Sequence, residues 1–303
     1  MKFYKLRKIK VYLFLVLFLF VSGKYLGNEI SKKDSLLIKE NILKASLISA
    51  TTTSYVGLYN LWYKKYPQSS FHFFNDFDEW NQIDKIGHVY SSYHVARKSH
   101  LFLKKRKISK SLFKASAYSF LYMVGIEVFD GFSKQWGFSN YDLISNLIGT
   151  TLYYGQEKKF KRQALKLKFS SHQTGFAKYR PSLLGENSLE RIFKDYNGQT
   201  YWLNFDFNTR LQEKLKIFKF LNLSIGYSID GFTGARNNPN LDCLDCNNLE
   251  RQSQFILSFD IDLSEIEIKN KFLKLIVNSF SIIKLPAPAV LFQNNSQFKW
   301  LYF

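Results

Sequence analysis

The sequence predicts an α+β protein: a helical bundle of about four helices, then a C-terminal antiparallel β-rich region. Apolar stretches of helical length fill most of residues 44–154. Later, Tyr201–Asn208, Leu221–Asp230 and Gln254–Leu263 alternate with a period of two, the signature of strands with one apolar face and one wet face. The change of period falls after Lys168 and divides the chain at about residue 160.

The elements follow in order. Lys2, Lys5, Arg7, Lys8 and Lys10 precede an apolar run, Val11–Val21, and small residues at Ser22-Gly23. That pattern reads as a signal peptide over residues 1–23, because the run stops short of the ~20 apolar residues of a membrane anchor. No Cys follows the run, so no lipid-modified N-terminus is expected. A helical domain is expected over 24–160 and a β-rich region over 161–303.

Within the first, Lys44–Tyr63 is apolar enough for a buried or membrane-embedded helix. Tyr66–Asn81 is a loop of aromatics and acids. Helices are expected at Asp84–Leu103, Ser111–Phe132 and Ser139–Tyr154. If the first two helices both spanned a bilayer, Lys64-Lys65 and Lys104–Lys107 would lie on opposite sides, against the positive-inside pattern. Arg97, Lys98, Glu127 and Asp130 also argue against full insertion. A bundle in or against a membrane fits better. In the second region Lys269–Lys284 reads as an amphipathic helix stopped by Pro286 and Pro288. Trp300–Phe303 gives an aromatic terminus like that of many outer-membrane strands. Cys243 and Cys246 form a lone C-x-x-C in a polar stretch, read as a disulfide across a surface loop.

The chain of 303 residues carries a formal charge of +19, most of it before residue 160. In an exported protein this points to membranes or anionic envelope lipids rather than nucleic acid, and the envelope also offers protein partners. An aromatic content of 18% fits a membrane interface. The plain alternative is a Lys-rich surface with no particular partner.

Candidate chemistry sits on three helices. Asp84 and His88 are one turn apart; Glu127 and Asp130 are three apart; Asp142 and Asn146 share a face behind a Ser139 cap. Buried ions in apolar helices must pair. These six residues are the catalytic candidates, with His88, Glu127 and Asp130 the candidate ligands for a divalent metal. The competing reading is a polar lock fixing helix register, with Lys85 and Arg97 neutralising the acids. No H-E-x-x-H, G-x-S-x-G or phosphate loop occurs. His72, His94, His100 and His172 have no partner at a telling spacing and are expected at surfaces or interfaces.

Asp84-Lys-x-x-His88, Gly125-x-Glu127-x-x-Asp130 and Ser139-x-x-Asp142-x-x-x-Asn146-x-x-Gly149 together resemble a predicted periplasmic lipoprotein family of unknown function (domain of unknown function 2279, YfiM-like). More loosely they resemble VanZ-like membrane proteins. The resemblance covers Asn75–Gly155; Tyr179–Gly185 and Asp195–Leu203 are similar to the extension of larger members. Two departures are the missing lipidation Cys and Ile126, where members often carry Lys. The resemblance implies an envelope location and a shared helical core, but no activity. The expected function is a structural or assembly component at the periplasmic side of the outer membrane. The alternative is a metal-assisted or acid/base hydrolase or transferase acting on envelope lipid or glycan.

Overall fold

The computed structural model describes residues 32–206, 221–240, 249–266 and 268–303. The expected signal peptide and the Cys243–Cys246 disulfide lie outside the described residues. The chain divides into two units between Val56 and Gly57, the first described from Lys32 onward. Helix α1, Lys32–Leu58, begins twelve residues before the expected start and carries the first unit. Its Ser46 and Thr51 hydroxyls donate to carbonyls one turn back, so these polar side chains sit in the helix without opening it.

The second unit opens on a π-helical turn, Tyr59–Tyr63. Three helices follow: α2 (Ile83–Lys105), α3 (Ser111–Gly131) and α4 (Asn140–Phe160). The aromatic loop between Tyr66 and Asn81 is irregular, as expected. It is pinned to the α3–α4 connection by backbone bonds from Ser69 to Phe132, His72 to Gly131 and Phe74 to Phe138. At its end Trp80, Asn81 and Gln82 all take left-handed backbone angles (φ 50°, 43° and 64°). Each costs on the order of 1 kcal/mol for a side chain with a Cβ. The tertiary contacts that hold them are Trp80 N–H to the Ala235 carbonyl and the Tyr227 hydroxyl to the Asn81 carbonyl. This forced turn sets the direction in which α2 presents Asp84 and Lys85.

Helix α2 is the hub, packed on α3, α4 and the first strands. At Gly149 of α4 a Cβ would fall 2.0 Å from the Val89 carbonyl oxygen, so only glycine lets the two backbones meet there. Tyr93, Ala96 and Tyr153 fill the core between these helices. Trp80, Ile83, Leu184, Ile229 and Phe232 fill a second core shared by α2, the sheet and a short helix, α5 (Pro181–Leu184), which is followed by another short helix, α6 (Ser188–Lys194).

The sheet is a six-stranded antiparallel meander, β1 (Leu165–Ser171), β2 (Gln199–Phe205), β3 (Leu221–Asp230), β4 (Gln252–Ile261), β5 (Ala287–Phe292) and β6 (Ser296–Tyr302). Helix α7, Lys271–Phe280, precedes β5. The three alternating runs are β2, β3 and β4. β1, β5 and β6 are additions: β5 contains Pro288, and β6 runs into the aromatic terminus.

The sheet curls strongly. Lys168 on β1 bonds Asp260 on β4, three strands away. On a flat sheet those strands would lie ~14 Å apart, beyond the reach of both side chains. Ile282–Lys284, leading into β5, also hydrogen-bonds Phe169 on the edge of β1 opposite β2. One expectation is reversed by the curl. The face read as wet (Asn204, Asn222, Ser224, Ser228, Ser258 and Asp260) is buried inside it. Of the apolar face, Tyr201 and Phe169 pack on Tyr90 of α2, while Ile225, Leu257 and Phe259 stay open.

Candidate functional site

Helices α2, α3 and α4 bring five of the six candidates together, with two residues from outside them. Lys85 is the centre. Its Nζ lies 2.5 Å from Asp76 Oδ2, 3.1 Å from Asp84 Oδ2 and 2.7 Å from Asp142 Oδ1. Asp76 reaches in from the aromatic loop and accepts from Ser139 Oγ at 2.5 Å. Ser139 also caps α4, its Oγ accepting from the Asp142 N–H at 3.1 Å, so one hydroxyl ties the helix start to the loop. Asp84 Oδ1 accepts from the Tyr196 hydroxyl at 2.6 Å, which links the cluster to the turn before β2.

One turn along α2, His88 completes the network. Its Nδ1 lies 3.1 Å from Asn146 Oδ1 and 3.3 Å from Glu127 Oε1. Its Nε2 faces Asp142 Oδ1 at 3.8 Å and Asp84 Oδ2 at 4.0 Å. Asn146 Nδ2 donates to Glu127 Oε1 at 3.2 Å, which orients its own oxygen toward the imidazole. Both ring nitrogens therefore face acceptors, and the ring that fits is the doubly protonated one. Burial alone would lower the His88 pKa, but Asp142, Glu127 and Asp84 overcome it and raise it to about 9.

The acids divide by neighbour. Burial favours protonation of Asp84, but Lys85, His88 and the Tyr196 hydroxyl hold it at about 2. Burial pushes Asp142 up to about 8 against the pull of His88, and it raises the fully buried Glu127. Two cations thus face four carboxyls, and the protons held by the raised acids bring the cluster toward neutrality, as burial demands.

Asp130 stands apart. Its Oδ1 accepts from the Tyr63 hydroxyl at 2.9 Å, and no ion pair joins it to the cluster among the described residues. The metal-capable grouping among the described residues is Asp84, His88 and Asp142, whose ligand atoms lie within 4.8 Å of one another; it shares only His88 with the expected trio His88, Glu127 and Asp130. Arg97 does not neutralise the acids as expected: its guanidinium lies near Ser281 Oγ, at the far end of the sheet contact. Two other histidines are also corrected. His94 is buried with Nε2 2.8 Å from the Leu167 carbonyl oxygen, and His100 is buried against the Tyr153 hydroxyl at 2.7 Å. Their partners come from β1 and α4, far along the chain, so local spacing could not reveal them. Asp76 and Tyr196 were missed for the same reason, although Tyr196 falls in one of the segments that carry the resemblance.

Residues 72–156 match the model of a family described as predicted periplasmic lipoprotein (DUF2279). The resemblance drawn from the three motifs therefore holds over the stretch that builds the cluster, except for Tyr196. Similarity to VanZ-like proteins is not shown. No curated protein and no solved structure matches the chain.

Proposed function

We propose that this chain is a structural or assembly component of the cell envelope, working at the periplasmic side of the outer membrane. The ionic cluster is then its internal lock rather than a reaction centre. The observation that carries this reading is the Lys85 ammonium, held within 3.1 Å of three carboxyl groups from three different segments. The chain supplies its own cation where a metal would have to sit. His88, with Asn146 and Glu127 at its Nδ1 and the Asp142 and Asp84 carboxyl groups 3.8 and 4.0 Å from its Nε2, serves as a cation and not a free base. The match to a predicted periplasmic lipoprotein family supports the envelope location.

A second reading has one specific support: Asp84, His88 and Asp142 are close enough to share a divalent ion. It makes the protein a metal-assisted hydrolase or transferase on envelope lipid or glycan. Calorimetric titration of zinc and manganese into the purified full chain separates the two. The lock reading expects no stoichiometric binding by the parent, and new binding in Lys85→Met, where the internal cation is gone. Stoichiometric uptake by the parent, lost in Asp142→Asn, would overturn it. Location is tested by density-gradient fractionation: recovery in the soluble periplasmic fraction alone would sink the outer-membrane assignment.

A further inference from the structure

The sheet is built inside out for a protein dissolved in water. Along β4 the residues alternate strictly: Phe255, Leu257, Phe259 and Ile261 are exposed, while Ile256, Ser258 and Asp260 are buried. The buried side, within the curl, is largely polar. Asn204 Oδ1, Asn222 Nδ2, Ser224 Oγ and Asp260 Oδ1 are each buried with no hydrogen-bond partner among the described residues. The same interior also packs Trp202, Ile256, Ala289 and Leu291, so it is apolar toward β5 and polar around Asp260. An apolar exterior around a polar interior is the arrangement that strands adopt against hydrocarbon.

The last part of the chain adds the charge. Residues 268–303 hold five lysines and no acid; Lys284 is buried, while Lys269, Lys274 and Lys299 are exposed. Helix α7 within it exposes Phe272, Leu273, Leu275 and Phe280, and Lys274 is exposed among them. β6, the open edge of the sheet, exposes Phe298, Lys299, Trp300 and Leu301. Apolar side chains beside cations, with no anion to repel, are complementary to a bilayer that carries anionic head groups. A second copy of the chain fits poorly, since it would set two all-cationic segments face to face.

We propose that α7 and the outer face of β4–β6 form one lipid-contacting surface, its apolar side chains in the acyl layer of an anionic bilayer and its lysines at the head groups. This deepens the envelope reading and rests on it for location only.

The test uses purified full chain and vesicles of equal parts phosphatidylglycerol and phosphatidylcholine, against phosphatidylcholine alone. Phe272→Glu with Leu275→Glu should lower partitioning onto the anionic vesicles at least about tenfold, with the melting temperature unchanged. The apolar run Val11–Val21 is present in parent and variant alike and cancels from the comparison. Brominated lipid should quench tryptophan emission in the parent, and that quenching should fall in Trp300→Phe. Equal partitioning by the double variant, or equal quenching in Trp300→Phe, would overturn the proposal. So would a dimer in sedimentation that Trp300→Glu splits, since the face would then belong to a second copy. None of these results touches the lock, which is read from metal titration and melts of the Lys85 variant.

Discussion

The helical bundle and the curled sheet each bury a lysine against aspartate, yet the two sites are unlike. Around Lys85 three carboxyl groups from separate segments meet one ammonium, and His88, Asn146 and Glu127 extend the network into a closely packed interior. Around Lys168 the partners are Asp260, with Asn204 beside it, and the Ile261 carbonyl, on a face where neighbouring polar atoms go unpaired. The first is an ionic island among apolar side chains; the second belongs to a whole polar surface folded inward. Both leave buried atoms unpaired among the described residues, Glu127 Oε2 in the first and Asn204 Oδ1 and Asp260 Oδ1 in the second, so the difference lies in how many carboxyl groups each ammonium holds. Breaking the first should therefore cost more.

The largest effect is expected from Lys85→Met. It leaves Asp76, Asp84 and Asp142 without their shared cation and should destabilise by roughly 3–5 kcal/mol. Denaturant unfolding measures it; a loss under 1 kcal/mol would mean that the cluster is not a lock.

Next comes pH. His88 rises from its ordinary 6.5 to about 9 on folding, so its contribution is complete below pH 6.5 and is lost as pH climbs through 9. Asp142, raised to about 8, acts in the same direction, because the folded state holds its proton more tightly. His94 is depressed to about 3 by burial, and its contribution is present above pH 6.5 and lost on acidification. Lys284, lowered to about 8 by burial, raises stability as pH climbs above 8, so the window from pH 6.5 to 8 isolates the cluster. Stability should fall across it by on the order of 2 kcal/mol, and His88→Gln should flatten the decline. A parent whose stability rises over that range would contradict the assignment of His88 as a cation.

Lys168→Met should cost less, roughly 1–2 kcal/mol, because Asn204 still donates to Asp260 and burial already favours its neutral form. If it proves as damaging as Lys85→Met, the contrast between the two sites collapses. The smallest effect belongs to the outer face. Phe259→Ser removes a side chain that is 55% exposed and should shift stability by no more than about 0.5 kcal/mol in detergent-free buffer. A larger loss would show that this face packs on part of the protein.

The same contrast explains what could be read from residues alone. Ions inside apolar helices are conspicuous, so Asp84, His88, Glu127, Asp142 and Asn146 were legible as one constellation, and the Ser139 cap fixed where α4 begins. β2, β3 and β4 were legible through their alternation. Of β6 only the aromatic end at Trp300 was legible, because a strand at an open edge needs no alternation when most of both sides is exposed. Nor could alternation tell which side of the sheet faces inward. Period two reports only that the faces differ, and Asn204, Asn222 and Asp260 read as solvent-facing until the curl encloses them.

The sequence by itself determined the α+β class, the helices around the Asp-Lys-x-x-His motif and the polar character of their meeting point, since local periodicity and the cost of isolated charge act within a few turns of chain. Only the tertiary structure decided that Arg97 does not join Lys85 beside the acids, that Asp76 and Tyr196 do, and that the sheet turns its polar face inward. Those outcomes depend on contacts between residues up to about a hundred positions apart, such as Tyr196 with Asp84 and Lys168 with Asp260, and no local spacing encodes them.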